Sequence, residues 1–278
     1  MSWWQAVLLG IVEGLTEYLP VSSTGHLLLA QRLLGIPAGE AANAYAIAIQ
    51  LGAIVAVFGL YRRRIGRIAA GLLGRDRGGR RLGLGLLLAF LPAALAGLLL
   101  GGTIERHLFG LHPVAWAWLV GGLTILVLAR SLLAPGRPGR SLTGLSSRQA
   151  LVIGLCQCLA LWPGTSRSLA TIVGGTLAGL SLPAAVELSF LLGLVTLGAA
   201  TVYTALTHAE ALLGTYGLGE LLLGFAAAAV SAAVAVRWMV RRLERHGLAV
   251  FGWYRIALGL VTLAGLAWLG NGPTAPLP

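Results

Sequence analysis

Charge is scarce in this chain: 10% of its 278 residues are Asp, Glu, Lys or Arg, against 57% apolar. Soluble domains carry about 25% charged residues. A chain so poor in charge cannot cover its surface in water, which excludes a soluble enzyme, a disordered protein and a fibrous one. Lysine is missing altogether. All 20 basic residues are arginine, against 9 acidic ones, for a formal net charge of +11. Cysteine is reduced to Cys156 and Cys158, two positions apart in an apolar run. That excludes a disulfide framework and offers no metal-ligand spacing, leaving small apolar packing. A charged amino-terminal region is also lacking, and Glu13 and Glu17 interrupt the first apolar stretch. The N-terminus therefore does not read as a cleavable signal peptide.

What is present is hydrophobic length. Six stretches reach the roughly 20 residues that cross a bilayer: 43–61, 82–102, 114–134, 186–206, 218–240 and 249–270. Sixteen arginines fall in three connections. The 62–81 segment holds eight, and 130–148 and 237–245 hold four each. The intervening connections, 103–113 and 207–217, hold only Arg106. Basic residues in alternate connections follow the positive-inside rule, so the arginines read as an orientation signal and not as a nucleic-acid surface. The Arg-rich segments are expected in the cytoplasm, and both termini outside.

Two apolar regions remain, 1–36 and 150–180, each broken midway by Pro and small polar residues. Parity requires each to begin and end on one side of the membrane. The economical reading is two re-entrant helical hairpins, one from each face; the alternative, two full spans per region, needs longer apolar arms. The regions also resemble each other. Gly10 pairs with Gly154 and Glu13 with Gln157; after a one-residue slip, Pro20 pairs with Pro163, Ser22 with Thr165 and Ser23 with Ser166. Three spans follow each copy, so the second copy is inverted. The expected fold is an all-α polytopic membrane protein, with six transmembrane helices and two re-entrant hairpins in an inverted-topology repeat. The halves are approximately 1–142 and 143–278, in one membrane domain. Transporters often use this architecture, with a site at the repeat interface.

The candidate chemistry sits in the two broken regions. Glu13 and Glu17, four apart, share a helix face. A central acidic residue costs about 2.5–3.5 kcal/mol on insertion scales. The pair makes sense if it holds a cation, or if one member stays protonated as a general acid. Mg²⁺ binds through one or two carboxylates plus substrate phosphates. Pro20 should end one half-helix, and Val21-Ser22-Ser23-Thr24 reads as the N-cap of the next. Pro163-Gly164-Thr165-Ser166 does the same in the other copy. Paired helix N-termini suit an anion, although plain capping accounts for the same hydroxyls. Arg167 offers a planar fork for phosphate, or a partner for Glu13 or Glu17. His26, one turn from Ser23, is a general acid/base candidate. Gln50 and Glu187 are further buried polar candidates, while His107, His112, His208 and His246 read as surface residues in connections. These residues describe a site for a phosphorylated substrate, without separating cleavage from transport.

Glu13-Gly14-Leu15-Thr16-Glu17-Tyr18-Leu19-Pro20-Val21-Ser22-Ser23-Thr24-Gly25-His26 and Pro163-Gly164-Thr165-Ser166-Arg167-Ser168-Leu169-Ala170-Thr171 resemble the two motifs of the undecaprenyl-pyrophosphate phosphatases of bacterial inner membranes. The similarity extends over most of the chain, including Ile49-Gln50-Leu51-Gly52, Glu187-Leu188-Ser189-Phe190 and Tyr254-Arg255. It implies hydrolysis of undecaprenyl pyrophosphate to undecaprenyl phosphate and inorganic phosphate, which recycles the lipid carrier for peptidoglycan. It also implies bacitracin resistance, a divalent cation (Mg²⁺ or Ca²⁺) and a site open to the periplasm. By motif, Glu13 and Glu17 match the acidic pair that would hold the metal. Glu17, Ser23, His26 and Arg167 are the expected catalytic residues. Ser22, Thr165, Ser166, Thr171 and Gln50 are the expected substrate-binding residues. The expected partners are the polyprenyl pyrophosphate and membrane lipids, with a homodimer as a candidate assembly. Leu169 stands where the family usually has Gly, and a Pro expected after Phe190 is absent. On this reading Ser23, activated by His26, attacks the terminal phosphoryl group; direct attack by water is the alternative. A lipid-phosphate transporter or flippase on the same scaffold is the rival.

Overall fold

The computed structural model describes residues 1–270, which are helical throughout apart from turns and one isolated bridge. The first hairpin is α1 (Trp3–Thr16) and α2 (Ser23–Leu33). Next come α3 (Glu40–Leu60), α4 (Arg62–Leu72), α5 (Arg77–Leu108) and α6 (Leu111–Leu128). The second hairpin is α7 (Ser147–Gln157), a 3₁₀ turn Cys158–Leu161, and α8 (Arg167–Leu177). The chain closes with α9 (Leu182–Thr207), α10 (Ala209–Thr215), α11 (Leu218–His246) and α12 (Ala249–Gly270). Helices α3, α5, α6, α9, α11 and α12 are the six long and apolar enough to cross a membrane. They coincide with the six expected spans.

The boundaries differ where polar sequence continues a helix. The 62–81 segment, read as a connection, is the amphipathic α4 followed by the first turns of α5, with Asp76 capping Gly79 N–H. Helix α11 runs to His246, nearly two turns past the expected span, so Arg241 and Arg242 continue a helix instead of forming a loop. Helix α9 starts at Leu182, because Pro183 in the first turn has its φ preset and lacks an N–H that would go unpaired there.

The two hairpins share a pattern of hydrogen bonds at a constant spacing of 144 residues. Gln5 accepts from Ser2 N–H and donates to Leu34 O; Gln149 accepts from Ser146 N–H and donates to Ala178 O. Both second arms have 11 residues, and both end in a positive-φ glycine, Gly35 and Gly179. Both begin after a serine in the left-handed region, Ser22 (φ 72°) and Ser166 (φ 77°). These are the two non-glycine residues with positive φ among the described residues. The sequence pairing of Ser23 with Ser166 is thus corrected by one position: Ser22 corresponds to Ser166, and Ser23 to Arg167. The shared prolines invited a slip that the backbone does not make.

Helix α1 packs along α11, α3 between α11 and α9, α12 on α6, α7 on α5, and α8 on α9. Gly10 and Gly14, one turn apart, let α1 approach α11 backbone to backbone, as small-xxx-small pairs do in membranes. The main core runs from Tyr18 and Val21 through Ile153, Leu169 and Ile172 to Leu188 and Phe190, enclosing both bends. The open end of the first hairpin lies beside Thr215 and Tyr216, near the Arg-poor 207–217 connection. The open end of the second lies at the Arg-rich end, where Arg140 N–H donates to Gly179 O (2.9 Å) and Arg81 Nε to Leu145 O (2.9 Å). Between them the bends touch: Ser168 Oγ donates to Leu19 O at 2.7 Å.

Candidate active site

The contact between the bends builds the site. Glu17, just past the end of α1, is 6% exposed and its carboxylate has two partners from opposite halves of the chain. Oε1 accepts from Arg167 Nη2 at 2.8 Å. Oε2 accepts from Ser23 Oγ in a short contact. Arg167, the first residue of α8, also donates through Nη1 to Ser189 O (2.8 Å), and its guanidinium lies over the Tyr18 ring, 5.3 Å from the centroid. Gly193 makes this seat available: a Cβ there would stand 2.6 Å from Arg167 Nη1 and 2.9 Å from Cζ. Thr171 Oγ1 donates to Ser189 Oγ (2.8 Å), so α8 and α9 are tied together behind the arginine. Ser166 Oγ accepts from Leu169 N–H (3.2 Å) and meets Ser168 Oγ at 2.9 Å.

Glu13, one turn before Glu17, is fully buried, and among the described residues neither of its oxygens has a hydrogen-bond partner. Tyr18 Oη and Arg167 Nε are buried without partners as well. Unpaired polar atoms this deep are expensive, and they converge on the Glu17–Arg167 pair. The cluster holds two carboxylates and one guanidinium. A divalent cation fits that donor set, because Glu13 offers two free oxygens and Mg²⁺ takes its other ligands from phosphate and water. Among the described residues no three His, Cys, Asp or Glu side chains gather to make a site alone.

The structure therefore brings Glu13, Glu17, Ser23, Ser166, Arg167 and Thr171 together. It separates others. His26 does not pair with Ser23. Its Nδ1 donates to Ser22 O (2.7 Å), since a carbonyl can only accept, and its Nε2 meets Tyr254 Oη at 2.7 Å with the two rings stacked. On α2 the Ser23 hydroxyl turns to Glu17, while the His26 ring is held by Ser22 O and Tyr254. Ser22 contributes its carbonyl rather than a side-chain cap. The Thr165 carbonyl accepts from Arg255, while among the described residues its hydroxyl makes no hydrogen bond. Gln50 Oε1 is buried and unpartnered on α3, with no hydrogen bond to these groups. Glu187 points away and pairs with Arg64 (2.7 Å) toward the Arg-rich end. Leu169 packs into the main core. Sequence reasoning assigned no role to Tyr18, Ser189, Gly193, Tyr254 or Arg255, all of which contact or seat site residues. Tyr18, Ser189 and Tyr254-Arg255 lie in stretches that the family resemblance covers; nothing local marks Gly193.

A family model described as bacitracin resistance protein BacA matches residues 6–261, from within α1 to within α12. The chain belongs to this family. A relative from Sorangium cellulosum named undecaprenyl-diphosphatase is 49% identical over 265 residues, covering 95% of this chain and 86% of that protein. One from Chromobacterium violaceum, undecaprenyl-diphosphatase 1, is 48% identical over 95% of this chain and 96% of its own length. One from Rhodospirillum rubrum, undecaprenyl-diphosphatase 2, is 49% identical over 96% and 95%. The family's match thus covers both motifs that meet at Glu17 and Arg167.

Proposed function

We propose that this chain hydrolyses undecaprenyl diphosphate to undecaprenyl phosphate and inorganic phosphate in the bacterial inner membrane, returning the lipid carrier to peptidoglycan and envelope-polymer synthesis. The observation that carries the reading is the Glu17 carboxylate, shared between a serine hydroxyl of one hairpin and an arginine of the other. Glu17 accepts the Ser23 proton as Oγ attacks the terminal phosphorus. The anhydride P–O bond breaks, and the proton passes to the departing lipid phosphate. Arg167 neutralises charge on the transferring phosphoryl oxygens, exchanging its hold on Glu17 and Ser189 O for the substrate. Water, deprotonated by Glu17, then attacks the phosphoserine; the P–Oγ bond breaks, the proton passes from Glu17 to Ser23 Oγ, and inorganic phosphate leaves. His26, held as the Nδ1–H tautomer by Ser22 O, stands at the edge of this relay with Nε2 toward Tyr254. Mg²⁺ or Ca²⁺ on Glu13 and Glu17 would supply charge neutralisation for the diphosphate.

On this reading both hairpins are re-entrant. An arm of 14 residues is about 21 Å long, short of the roughly 30 Å hydrocarbon core. Their open ends lie at opposite ends of the long helices, and their bends meet between. With the Arg-rich end in the cytoplasm, the first hairpin enters from outside, the second from inside, and the site faces the periplasm. The test is phosphate release from undecaprenyl diphosphate by detergent-purified protein, with Mg²⁺, Ca²⁺ or EDTA. Cation-dependent release, lost in Glu17→Ala and Arg167→Ala, is expected. Absence of release from folded wild-type protein across cations and pH would overturn the reading in favour of a lipid-phosphate transporter.

A further inference from the structure

Arg255 on α12 is fully buried, and among the described residues no carboxylate pairs with it. Its guanidinium instead donates to five backbone carbonyls. Nη1 reaches Pro20 O and Thr165 O, both at 3.1 Å. Nη2 reaches Gly164 O (2.9 Å) and Ala117 O (2.8 Å), and Nε reaches Trp118 O (3.4 Å). Three of these carbonyls belong to the two bends, and two belong to α6. Carbonyls at helix ends and breaks have no intrahelical partner, and buried ones must find a donor. One planar fork satisfies those of both bends at once, which a single-point ammonium cannot do. Pro20 lies three residues from Glu17 and three from Ser23; Gly164 and Thr165 lie three and two from Arg167. The serines that follow each clamp point hold positive φ, a conformation that surrounding contacts must impose.

We propose that Arg255 is the positioning residue of the site: it holds the two bends in register, and so sets Ser23 and Glu17 of one half against Arg167 of the other. It touches neither reacting group, and acts through backbone alone. Gly121 on α6 is the other side of the device. A Cβ there would stand 2.6 Å from Arg255 Cζ and 3.0 Å from Nε, so Gly121 keeps the seat of the guanidinium open. The inference rests on the phosphatase reading for its kinetic test, and on bend geometry alone for a second test.

The experiment compares wild type with Arg255→Lys, Arg255→Met and Gly121→Ala. A misplacement near 1 Å can cost on the order of 100-fold in rate. The expected result is a kcat reduced about 10- to 100-fold in Arg255→Met and Gly121→Ala, KM within about threefold, and partial recovery in Arg255→Lys. Added to Arg167→Ala, Arg255→Met should cost little more, because there is no longer an arginine to align. An additive loss, a raised KM at unchanged kcat, or wild-type kcat in all three folded variants would each overturn the proposal. Should Arg255→Met not fold, Gly121→Ala and Arg255→Lys still decide it. In parallel, spin labels at Thr24→Cys and Thr165→Cys, with Cys156 and Cys158 replaced by Ala, report the separation of the bends. A single narrow distance in wild type that broadens in Arg255→Met or Gly121→Ala is expected, and unchanged distributions would overturn the clamp. This readout needs no turnover, so an inactive wild type would count against the phosphatase reading and not against the clamp.

Discussion

At the scale of single residues, the site is a set of buried polar groups whose partners come from distant parts of the chain. Glu17 and Arg167 are 150 positions apart and form a pair with side chains 5% and 10% exposed. Removing one member of such a pair strands the other, at about 3–5 kcal/mol. Arg167→Ala should therefore lose stability as well as activity, with kcat down about 100- to 1,000-fold and a lowered detergent-phase melting temperature. Glu17→Gln keeps the shape but loses the proton acceptor of Ser23, and should cost about 100- to 10,000-fold in kcat. Phosphoenzyme trapping separates the serine route from direct attack by water. Labelled phosphate on Ser23 in wild type, absent in Ser23→Ala together with most turnover, is expected; near-full turnover of Ser23→Ala would remove the nucleophile assignment. Gly193→Ala tests the seat of Arg167 from outside the motifs. Its added methyl should dislodge the guanidinium and lower kcat at least tenfold, measured on protein that still elutes as a single species. Glu13, Glu17, Ser23 and Arg167 were all legible in the sequence, because charged and hydroxyl residues in an apolar background announce themselves. Gly193 was not: its contribution is the absence of a side chain, visible only against the arginine it accommodates.

Elements explain why these residues meet. Both second arms start just after a serine held at positive φ, which costs about 1–3 kcal/mol each and persists only under constraint from neighbours. The polar bend after each first arm was readable from Pro20 and Pro163. Its register was not, because prolines mark where a helix stops and not which residue begins the next one. The 144-residue spacing of the Gln5 and Gln149 bonds settles that register. It also explains the division of labour: position 23 of the first copy holds the serine, and its counterpart holds Arg167. The α1–α11 seam makes a prediction at this scale. Gly14 faces the Ala228 carbonyl and Ser231 so closely that Gly14→Leu has no rotamer to occupy. Overpacking costs typically 1–3 kcal/mol and more where backbone must move. The variant should extract as aggregate, or melt well below wild type, whereas Gly59→Leu on the same kind of apolar helix, with open space around it, should behave as wild type.

For the molecule as a whole, sixteen arginines lie in three segments, and the hairpins open at opposite ends of the long helices. Cysteine accessibility tests the orientation assigned from them. With Cys156 and Cys158 replaced by Ala, Gly74→Cys should react with a membrane-impermeant maleimide only in inverted vesicles, and Glu105→Cys only in intact cells. The reverse pattern would turn the protein over, and with it the side from which the diphosphate reaches Glu17.

Composition alone determined that this is a multi-pass membrane protein, because burial of apolar surface in lipid depends on amounts and run lengths, not on contacts. The six spans, the two broken regions and most reactive side chains followed from pattern for the same reason. What only the tertiary structure decided is pairing across the fold: that Ser23 turns to Glu17 and not to His26, that Tyr254 takes the histidine, and that Arg255 joins both bends. A hydrogen bond depends on direction and on tenths of an ångström, and those are set by how α8, α9 and α12 pack against the first hairpin. No one of these segments carries that information by itself.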